Sequence, residues 1–248
     1  MNCWYVFKKE IRSFFTFPPI YIIIAIFLVL SGHFFYTDLI YYNNFNIGGT
    51  ISVITGLWQY YFHDLRYVFI FLLPLITMRT FSEEKKLGTM ELVCTYPVRD
   101  IDILLGKYFG CLGIFLLMLA LTFINFVILG GIWDFTEIVP VLSGYLGVFL
   151  LGASLIACGI FISSLTENQI VAGFVTLGFF IFLWFLTWNE MLGSEALINI
   201  LRRISLFDRV FNFFKGIIAT KDIIFFLLFI CFFSFLTLHS LGARRLRE

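Results

Sequence analysis

Charged residues are scarce in this sequence of 248 residues. Asp, Glu, Lys and Arg make up 13% of the chain, whereas soluble domains average about a quarter. Hydrophobic residues make up 60%, and the mean hydropathy is +0.97. This composition excludes a water-soluble enzyme and a disordered tail. The net charge of +1 gives no attraction for polyanions, so we expect no nucleic-acid partner.

Patterns typical of metal, redox and catalytic sites are also missing. The five cysteines are far apart without a C-x-x-C spacing, and no metal-ligand spacing connects His33, His63 and His239. The sequence lacks a G-x-x-x-x-G-K-[ST] phosphate loop, a G-x-S-x-G elbow and an H-E-x-x-H motif. We therefore expect no disulfide, metal or cofactor in this chain, and no enzyme activity of the chain by itself.

Long apolar runs dominate what the sequence does contain. A helix needs about 20 apolar residues to cross a bilayer, and strands of a membrane barrel would alternate in hydropathy, which these runs do not. The sequence therefore predicts an all-α integral membrane protein with one domain over residues 1–248. Six transmembrane helices are predicted, over Ile20–Tyr36, Trp58–Met78, Tyr108–Gly130, Val141–Ile162, Ile170–Trp188 and Ile223–Leu241.

The distribution of cations predicts the orientation of these six spans. An even number of spans places both termini on one side of the membrane. With the termini inside, eleven of the 17 Lys and Arg residues lie inside, and the short loop after the third span carries only Asp134 and Glu137. The positive-inside rule then favours cytoplasmic termini in a bacterial inner membrane, although the cations within Asn189–Asp222 favour the opposite orientation.

Two further segments have amphipathic patterns outside the spans. Within Trp4–Phe15 an apolar stripe (Trp4, Phe7, Ile11, Phe14 and Phe15) opposes Lys8, Lys9 and Arg12, which predicts an interfacial helix whose cations face lipid headgroups. Within Phe207–Ile218 a second stripe predicts an outer-leaflet helix; it comprises Phe207, Val210, Phe211, Phe214 and Ile217. Membrane lipids are therefore expected partners of both segments.

Small residues and prolines mark places where the helices meet or bend. Gly106-xxx-Gly110, Ser143-xxx-Gly147 and Ala153-xxx-Ala157 have the spacing that lets helices approach closely. Pro18 and Pro19 separate the N-terminal helix from the first span. Pro74 lies inside the second span, where it predicts a kink that serves either gating or packing.

The densest polar segment is the predicted cytoplasmic loop Arg79–Asp102. The helix of the second span can continue through Glu83–Lys86, after which Gly88 breaks it. Thr89 then suits an N-cap, with Glu91 in the first turn of a short helix over Thr89–Tyr96 that Pro97 ends. A short capped helix at this surface suits docking into a groove on a soluble partner, whereas an ordinary solvated charge run is the alternative.

The loop also carries a family resemblance. Glu84-Lys85-x-x-Gly88-Thr89-x-Glu91-Leu92, followed by Pro97, resembles the first cytoplasmic loop of type-two ATP-binding-cassette (ABC) permeases. Thr166–Ile170 resembles the second contact loop of that family, and Phe7–Glu10 with Phe17–Tyr21 resembles its N-terminal helix and first span. Lys215–Asp222 resembles the segment before its last span. The nearest group is the gliding-motility and nitrous-oxide-reductase-maturation permeases of bacteria.

The resemblance implies a function, partners and a set of contact residues. It implies the permease of an exporter that pairs with a second permease chain and with separate ATP-binding subunits, which hold the ATP and Mg²⁺. A mechanotransmitting subunit that assists an extracytoplasmic partner without moving a solute remains the alternative. The residues expected to couple to the ATPase are Glu83, Glu84, Gly88, Thr89, Glu91, Leu92, Pro97, Glu167 and Asn168.

Polar residues at membrane depth form a second group of candidates. Because the second span must begin near Trp58 to be long enough, His63, Asp64 and Arg66 fall near the outer leaflet. They should face water or each other, either at the outer mouth of a translocation path or as interfacial anchors. Pro74 and Asn125 complete this candidate path, although an interhelical hydrogen bond is the simpler role for Asn125.

The predicted orientation can be tested with thiol reagents. Cys94 lies in the proposed docking helix, so a membrane-impermeant thiol reagent should label it in inverted vesicles and not in intact cells. A cysteine introduced by Asp134→Cys should show the reverse pattern. Labelling of Cys94 from outside the cell would contradict the orientation and the docking hypothesis with it.

Overall fold

The computed structural model describes residues 3–45, 57–89, 99–130, 138–186 and 205–245. Within these ranges the chain forms helices and short turns and no strand, which confirms the all-helical prediction. The described residues contain the helices α1 (Cys3–Thr16), α2 (Pro19–Phe45), α3 (Gln59–Thr77), α4 (Arg79–Lys86), α5 (Asp100–Gly130), α6 (Ile138–Leu165), α7 (Gln169–Phe185), α8 (Leu206–Phe214) and α9 (Thr220–Arg245).

Five helical stretches of the described chain are long and apolar enough to cross a membrane. They are Pro19–Asn44, Gln59–Lys86, Asp100–Leu129, Ile138–Leu165 and Thr220–Ala243. The predicted fifth span, Ile170–Trp188, coincides with α7, an apolar helix of 17 residues. The last two residues of that prediction lie outside the described residues, so six spans remain a prediction.

Several helices extend beyond the apolar runs that predicted them. Helix α2 continues nine residues past Tyr36, and α5 begins at Asp100, eight residues before Tyr108. A helix ends where its backbone hydrogen bonds end, whereas hydropathy marks only the part that lipid surrounds. Asp100 and Asp102 lie in the first turn of α5, where the helix dipole favours carboxylates.

Helix α6 lies at the centre of the bundle. It contacts α3, α4, α5, α7, α8 and α9, and 83% of its most apolar stretch is buried inside the protein, compared with 22% for α2 and 17% for α9. Its small residues make this possible, since a Cβ added at Gly144 would lie 2.1 Å from the Phe62 ring. The predicted Ser143-xxx-Gly147 pair packs against one residue of α8, Phe213.

Helix α1 packs along the first half of α5. Val6 and Glu10 lie against Gly106 and Gly110, where an added Cβ would approach their side chains to 2.5 Å and 2.9 Å. The predicted close approach at Gly106-xxx-Gly110 is therefore confirmed. Buried Val6, Glu10 and Phe14 form the protein-facing side of α1, so the predicted membrane-facing stripe is wrong at Phe14. Trp4 and Phe15 of that stripe are exposed. A turn at Phe17–Pro18 separates α1 from α2, as the prolines predicted.

Helix α8 is shorter than the predicted amphipathic segment Phe207–Ile218. It ends at Phe214, because Gly216 adopts a left-handed backbone conformation (φ +79°) that turns the chain. The predicted stripe is therefore wrong at Ile217, which lies beyond the helix, and it omitted Phe213, which is fully buried against α6. Phe207, Val210 and Phe214 are buried within the protein, so the prediction that they face the outer leaflet is also wrong. The apolar side of this helix packs on the protein.

The tight contact between α6 and α8 leads to a stability prediction. In Gly147→Ala the new methyl would meet the Phe213 Cβ at 2.5 Å, and neither backbone can move without disturbing the other helix. Such overpacking costs about 1–3 kcal/mol, which should lower the melting temperature in detergent. The matched control is Gly178→Ala on α7, where nothing lies within 4 Å and the better helix former should not destabilise. Equal melting temperatures of the two variants would contradict the tight contact.

Candidate functional site

The polar loop predicted from the sequence begins on a short helix that continues the second span. Helix α4 follows α3 after a single turn residue, Met78. The Ser163 hydroxyl of α6 secures this joint, since it donates to the Met78 carbonyl at 2.9 Å and accepts from the Phe81 and Ser82 amides at 3.1 Å and 3.2 Å. The end of the second span is thereby attached to the central helix.

Pro74 lies four residues before this joint and is buried inside α3. A proline cannot donate the backbone hydrogen bond of its turn. Hydrogen bonds of neighbouring residues stabilise the helix around Pro74. The Met78 amide donates to the Pro74 carbonyl at 2.8 Å, and the Thr77 hydroxyl donates to the Leu73 carbonyl at 3.0 Å. Thr77 in turn packs against Gly159 of α6. The proline therefore sits in a tightly packed part of the bundle.

Helix α4 ends as the sequence predicted. Gly88 has a φ of +67°, the left-handed conformation that favours glycine, and its amide donates to the Lys85 carbonyl at 3.1 Å. The Thr89 hydroxyl donates to the Glu84 carbonyl at 3.2 Å and so satisfies the end of α4. The proposed docking helix over Thr89–Tyr96, with Glu91, Leu92 and Pro97, lies outside the described residues after Thr89.

An ionic cluster that is largely buried except for Lys9 fixes the last turns of α4. The Lys107 ammonium of α5 lies 2.7 Å from a Glu10 carboxylate oxygen of α1 and 2.9 Å from a Glu84 oxygen of α4. It also donates to the Thr80 carbonyl at 2.6 Å. Lys9 pairs with the second Glu84 oxygen at 2.8 Å. We call Lys9, Glu10, Glu84 and Lys107 the ionic cluster, and it joins α1, α4 and α5.

Sequence reasoning found Glu84 but missed Glu10 and Lys107 as site residues. Lys107 was counted only as one more cytoplasmic cation, yet its side chain is 2% exposed. One feature of the sequence could have indicated that Lys107 is buried. Lys107 lies between Gly106, which allows close helix contact, and the apolar run that begins at Tyr108. Glu83, by contrast, pairs within its own helix with Arg79 at 2.8 Å.

The second predicted contact loop lies at the same end of the molecule as α4. The Lys85 ammonium donates to the Ser164 carbonyl at the end of α6, and α4 contacts both α6 and α7. Asn168 is the N-cap of α7, since its side chain accepts from the Ile170 amide at 2.9 Å. Glu167 and Asn168 are both exposed. The structure thus places α4, which carries Glu83 and Glu84, beside the loop that carries Glu167 and Asn168.

The candidate residues near the outer leaflet contact one another and α8. His63 Nδ1 lies 3.1 Å from an Asp64 carboxylate oxygen, and the Tyr67 hydroxyl lies 3.3 Å from His63 Nε2. Arg66 is buried and donates to the Phe207 carbonyl at 3.0 Å and to the Tyr67 hydroxyl at 3.1 Å. Arg66 therefore connects α3 to α8 through hydrogen bonds.

Asn125 forms the interhelical hydrogen bond that was the simpler prediction for it. Its amide donates to the Tyr61 hydroxyl at 3.3 Å, and that hydroxyl lies 2.7 Å from the Ser31 hydroxyl. The three residues belong to α5, α3 and α2, so a short polar network connects three apolar helices.

Comparison with known families decides the class of protein. A family model described as ABC-2 family transporter protein matches residues 58–238, nearly three-quarters of the chain. The chain belongs to the ABC-2 transporter family. No curated protein matches the sequence.

Membership of the ABC-2 family confirms the coarser predictions. The chain is a multi-pass membrane protein and the permease component of an ABC transporter, and the family implies an ABC ATP-binding partner. Its members are membrane components that are generally not catalytic themselves. The matched range includes Glu84 and Lys107 but leaves Glu10 and the whole of α1 outside.

Removal of the central cation should destabilise this ABC-2 permease strongly. Lys107→Met would leave the Glu10 and Glu84 carboxylates close together without their shared partner, and breaking a buried ion pair costs about 3–5 kcal/mol. Thermal unfolding in detergent should show a large loss for Lys107→Met and little change for Lys86→Met, which removes an exposed lysine of α4. Adding Glu10→Gln and Glu84→Gln to Lys107→Met should recover part of the loss. Equal unfolding of the two lysine variants would contradict the role of the cluster.

Proposed function

We propose that this ABC-2 permease couples ATP hydrolysis by a separate ATP-binding subunit to export across the bacterial inner membrane. The observation that carries the proposal is the ionic cluster, which fixes α4 to α1 and α5 immediately before the loop that resembles a coupling helix. The last turns of α4 are therefore stiff, and a force applied to the loop would be transmitted to the bundle.

The hydrogen bonds of the inner end support a route for this force. Helix α4 continues α3 through the Met78 joint, which Ser163 attaches to α6. At the other end of α3, Arg66 holds α8 through the Phe207 carbonyl. Movement of the loop would thus be carried along α3 from the ATP-binding subunit to the outer side. Pro74 lies on this route, inside the helix that moves.

The proposed assembly follows from the same resemblance. Two permease chains, identical or related, pair with two ATP-binding subunits that hold the ATP and Mg²⁺. Each permease has six spans with cytoplasmic termini, and α7 forms the inner part of the fifth. Glu167 and Asn168 form the second contact with the ATP-binding subunit, because their exposed loop lies beside α4. The gliding-motility and nitrous-oxide-reductase-maturation permeases are the proposed subgroup.

A second function is mechanotransmission to an extracytoplasmic partner. It is favoured because two of the polar residues at membrane depth are engaged in hydrogen bonds inside the protein and are not free to contact a solute. Arg66 and Asn125 form hydrogen bonds within the chain rather than a separate polar lining. Transport into vesicles that contain the reconstituted complex distinguishes the two functions. ATP-dependent uptake of a solute into inverted vesicles supports export, whereas ATP-dependent change in an extracytoplasmic partner without uptake supports mechanotransmission.

The exit from α4 provides the sharpest test of coupling. Gly88→Leu places a side chain in a left-handed conformation that costs L-residues about 1–2 kcal/mol, so the loop should leave α4 in another direction. We expect the co-purification of the ATP-binding subunit and the ATPase activity of the complex to fall by at least about fivefold. Membrane insertion of the chain should stay normal, because Gly88 is exposed beyond the apolar part of the span.

Gly242→Leu on α9 is the matched control, since nothing lies within 4 Å of that helical glycine. It should insert, bind the ATP-binding subunit and support hydrolysis like the parent chain. A Gly88→Leu complex that stays fully bound and active would contradict the proposal that this loop transmits the force.

A further inference from the structure

A cationic cavity of about 600 Å³ lies where α1 meets the start of α2 and the start of α4. Lys8, Lys9, Arg12 and Arg79 contribute to its walls, and none of the described residues that line it carries a carboxylate. Lys8 and Arg12 are exposed and lie four residues apart on α1, so they share one face of that helix. The volume is typical of small-molecule sites.

Arg79 gives this cavity the character of a built anion site. Its side chain is only 10% exposed, and its guanidinium lies 3.7 Å from the centre of the Phe17 ring. One nitrogen, Nε, donates to Glu83 at 2.8 Å. Another nitrogen, Nη1, is buried and has no hydrogen-bond partner among the described residues. A buried guanidinium donor without an acceptor costs free energy, and an anionic oxygen in the cavity would satisfy it.

The position of the cavity identifies the anion. Phe17 immediately precedes the prolines that begin α2, and Arg79 immediately follows the Met78 joint at which the apolar part of the second span ends. The cavity therefore lies at the depth where two spans leave the lipid. Exposed Tyr5 lines the cavity, and Trp4 of α1 and Tyr21 of α2 are also exposed, as is typical of aromatic residues at the headgroup level.

We propose that this cavity binds the phosphate of an anionic phospholipid from the leaflet on which the termini lie. Lys8 and Arg12 supply the charge that selects an anionic headgroup. Arg79, whose Nη1 is covered in the unbound protein, turns this unpaired donor to the phosphate on binding. The inference is independent of the coupling function and assigns a defined site where the sequence predicted only a general attraction to headgroups. Because Arg79 begins α4 and Lys9 pairs with Glu84, a bound lipid would brace the helix that carries the ionic cluster.

The test measures lipid binding to the purified full-length chain in neutral detergent by native mass spectrometry. The probes are dioctanoyl phosphatidylglycerol, dioctanoyl phosphatidylcholine and inorganic phosphate. We expect one saturable phosphatidylglycerol adduct, clearly weaker binding of phosphatidylcholine, and no displacement of the lipid by an equal concentration of phosphate. Displacement by phosphate at equal concentration would assign the site to the free ion and overturn the lipid proposal.

Charge-matched variants locate the site. Lys8→Gln with Arg12→Gln should weaken phosphatidylglycerol binding by about tenfold to thirtyfold, as expected for the loss of two cations near a lipid surface. Lys86→Gln with Lys221→Gln removes the same charge from exposed positions outside the cavity and should leave the affinity unchanged. Arg79→Gln should also abolish the adduct. If the Arg79→Gln variant fails to fold, the double variant at Lys8 and Arg12 still tests whether the cavity binds the lipid, because both residues are exposed.

Two results with these variants would also overturn the proposal. One is equal binding of phosphatidylglycerol by the two charge-matched double variants. The other is unchanged lipid binding by Lys8→Gln with Arg12→Gln together with loss of the ATP-binding subunit, which would make these cations a protein contact.

Discussion

The end of this permease at which α1, α4 and α5 meet depends on one buried cation. The Lys107 ammonium has lost nearly all contact with solvent, and that loss is tolerable only because Glu10, Glu84 and the Thr80 carbonyl surround it. The requirement is mutual, since the two carboxylates can approach each other only with a cation between them. The helices α1, α4 and α5, which are far apart in the sequence, are therefore held in contact with one another.

The rest of the bundle is arranged around α6 by close packing. Its glycines accept the rings of Phe62 and Phe115 and the side chains of Thr77 and Phe213, so four partners reach its backbone directly. Lipid offers no hydrophobic gain for bringing helices together, and contact of this kind must supply the attraction. Hydrogen bonds from Ser163 and Ser143 to the joint at Met78 and to the Phe213 carbonyl then fix which part of each helix meets α6.

Sequence patterns predicted those features that depend on single segments. Hydropathy located the apolar cores of the spans, Gly88 marked the end of α4, and small-residue spacing marked the contacts of α5 and α6. Features that depend on distant residues were not predictable in this way. Nothing in the neighbourhood of Glu10 distinguishes it from a solvated carboxylate, because its partner is 97 residues away. The prediction that Ile217 belongs to the stripe of α8 was wrong for a related reason, because it extended the helical spacing past the turn at Gly216.

The separation of Glu10 from Lys107 has a consequence for how the chain is made. Helix α1 is synthesised before α5, so Glu10 cannot meet Lys107 until the start of α5 has been made. Two spans must be placed in the membrane during that interval, while α1 waits at the surface with its carboxylate in water. The docking of α1 onto Gly106 and Gly110 therefore cannot precede the synthesis of the start of α5.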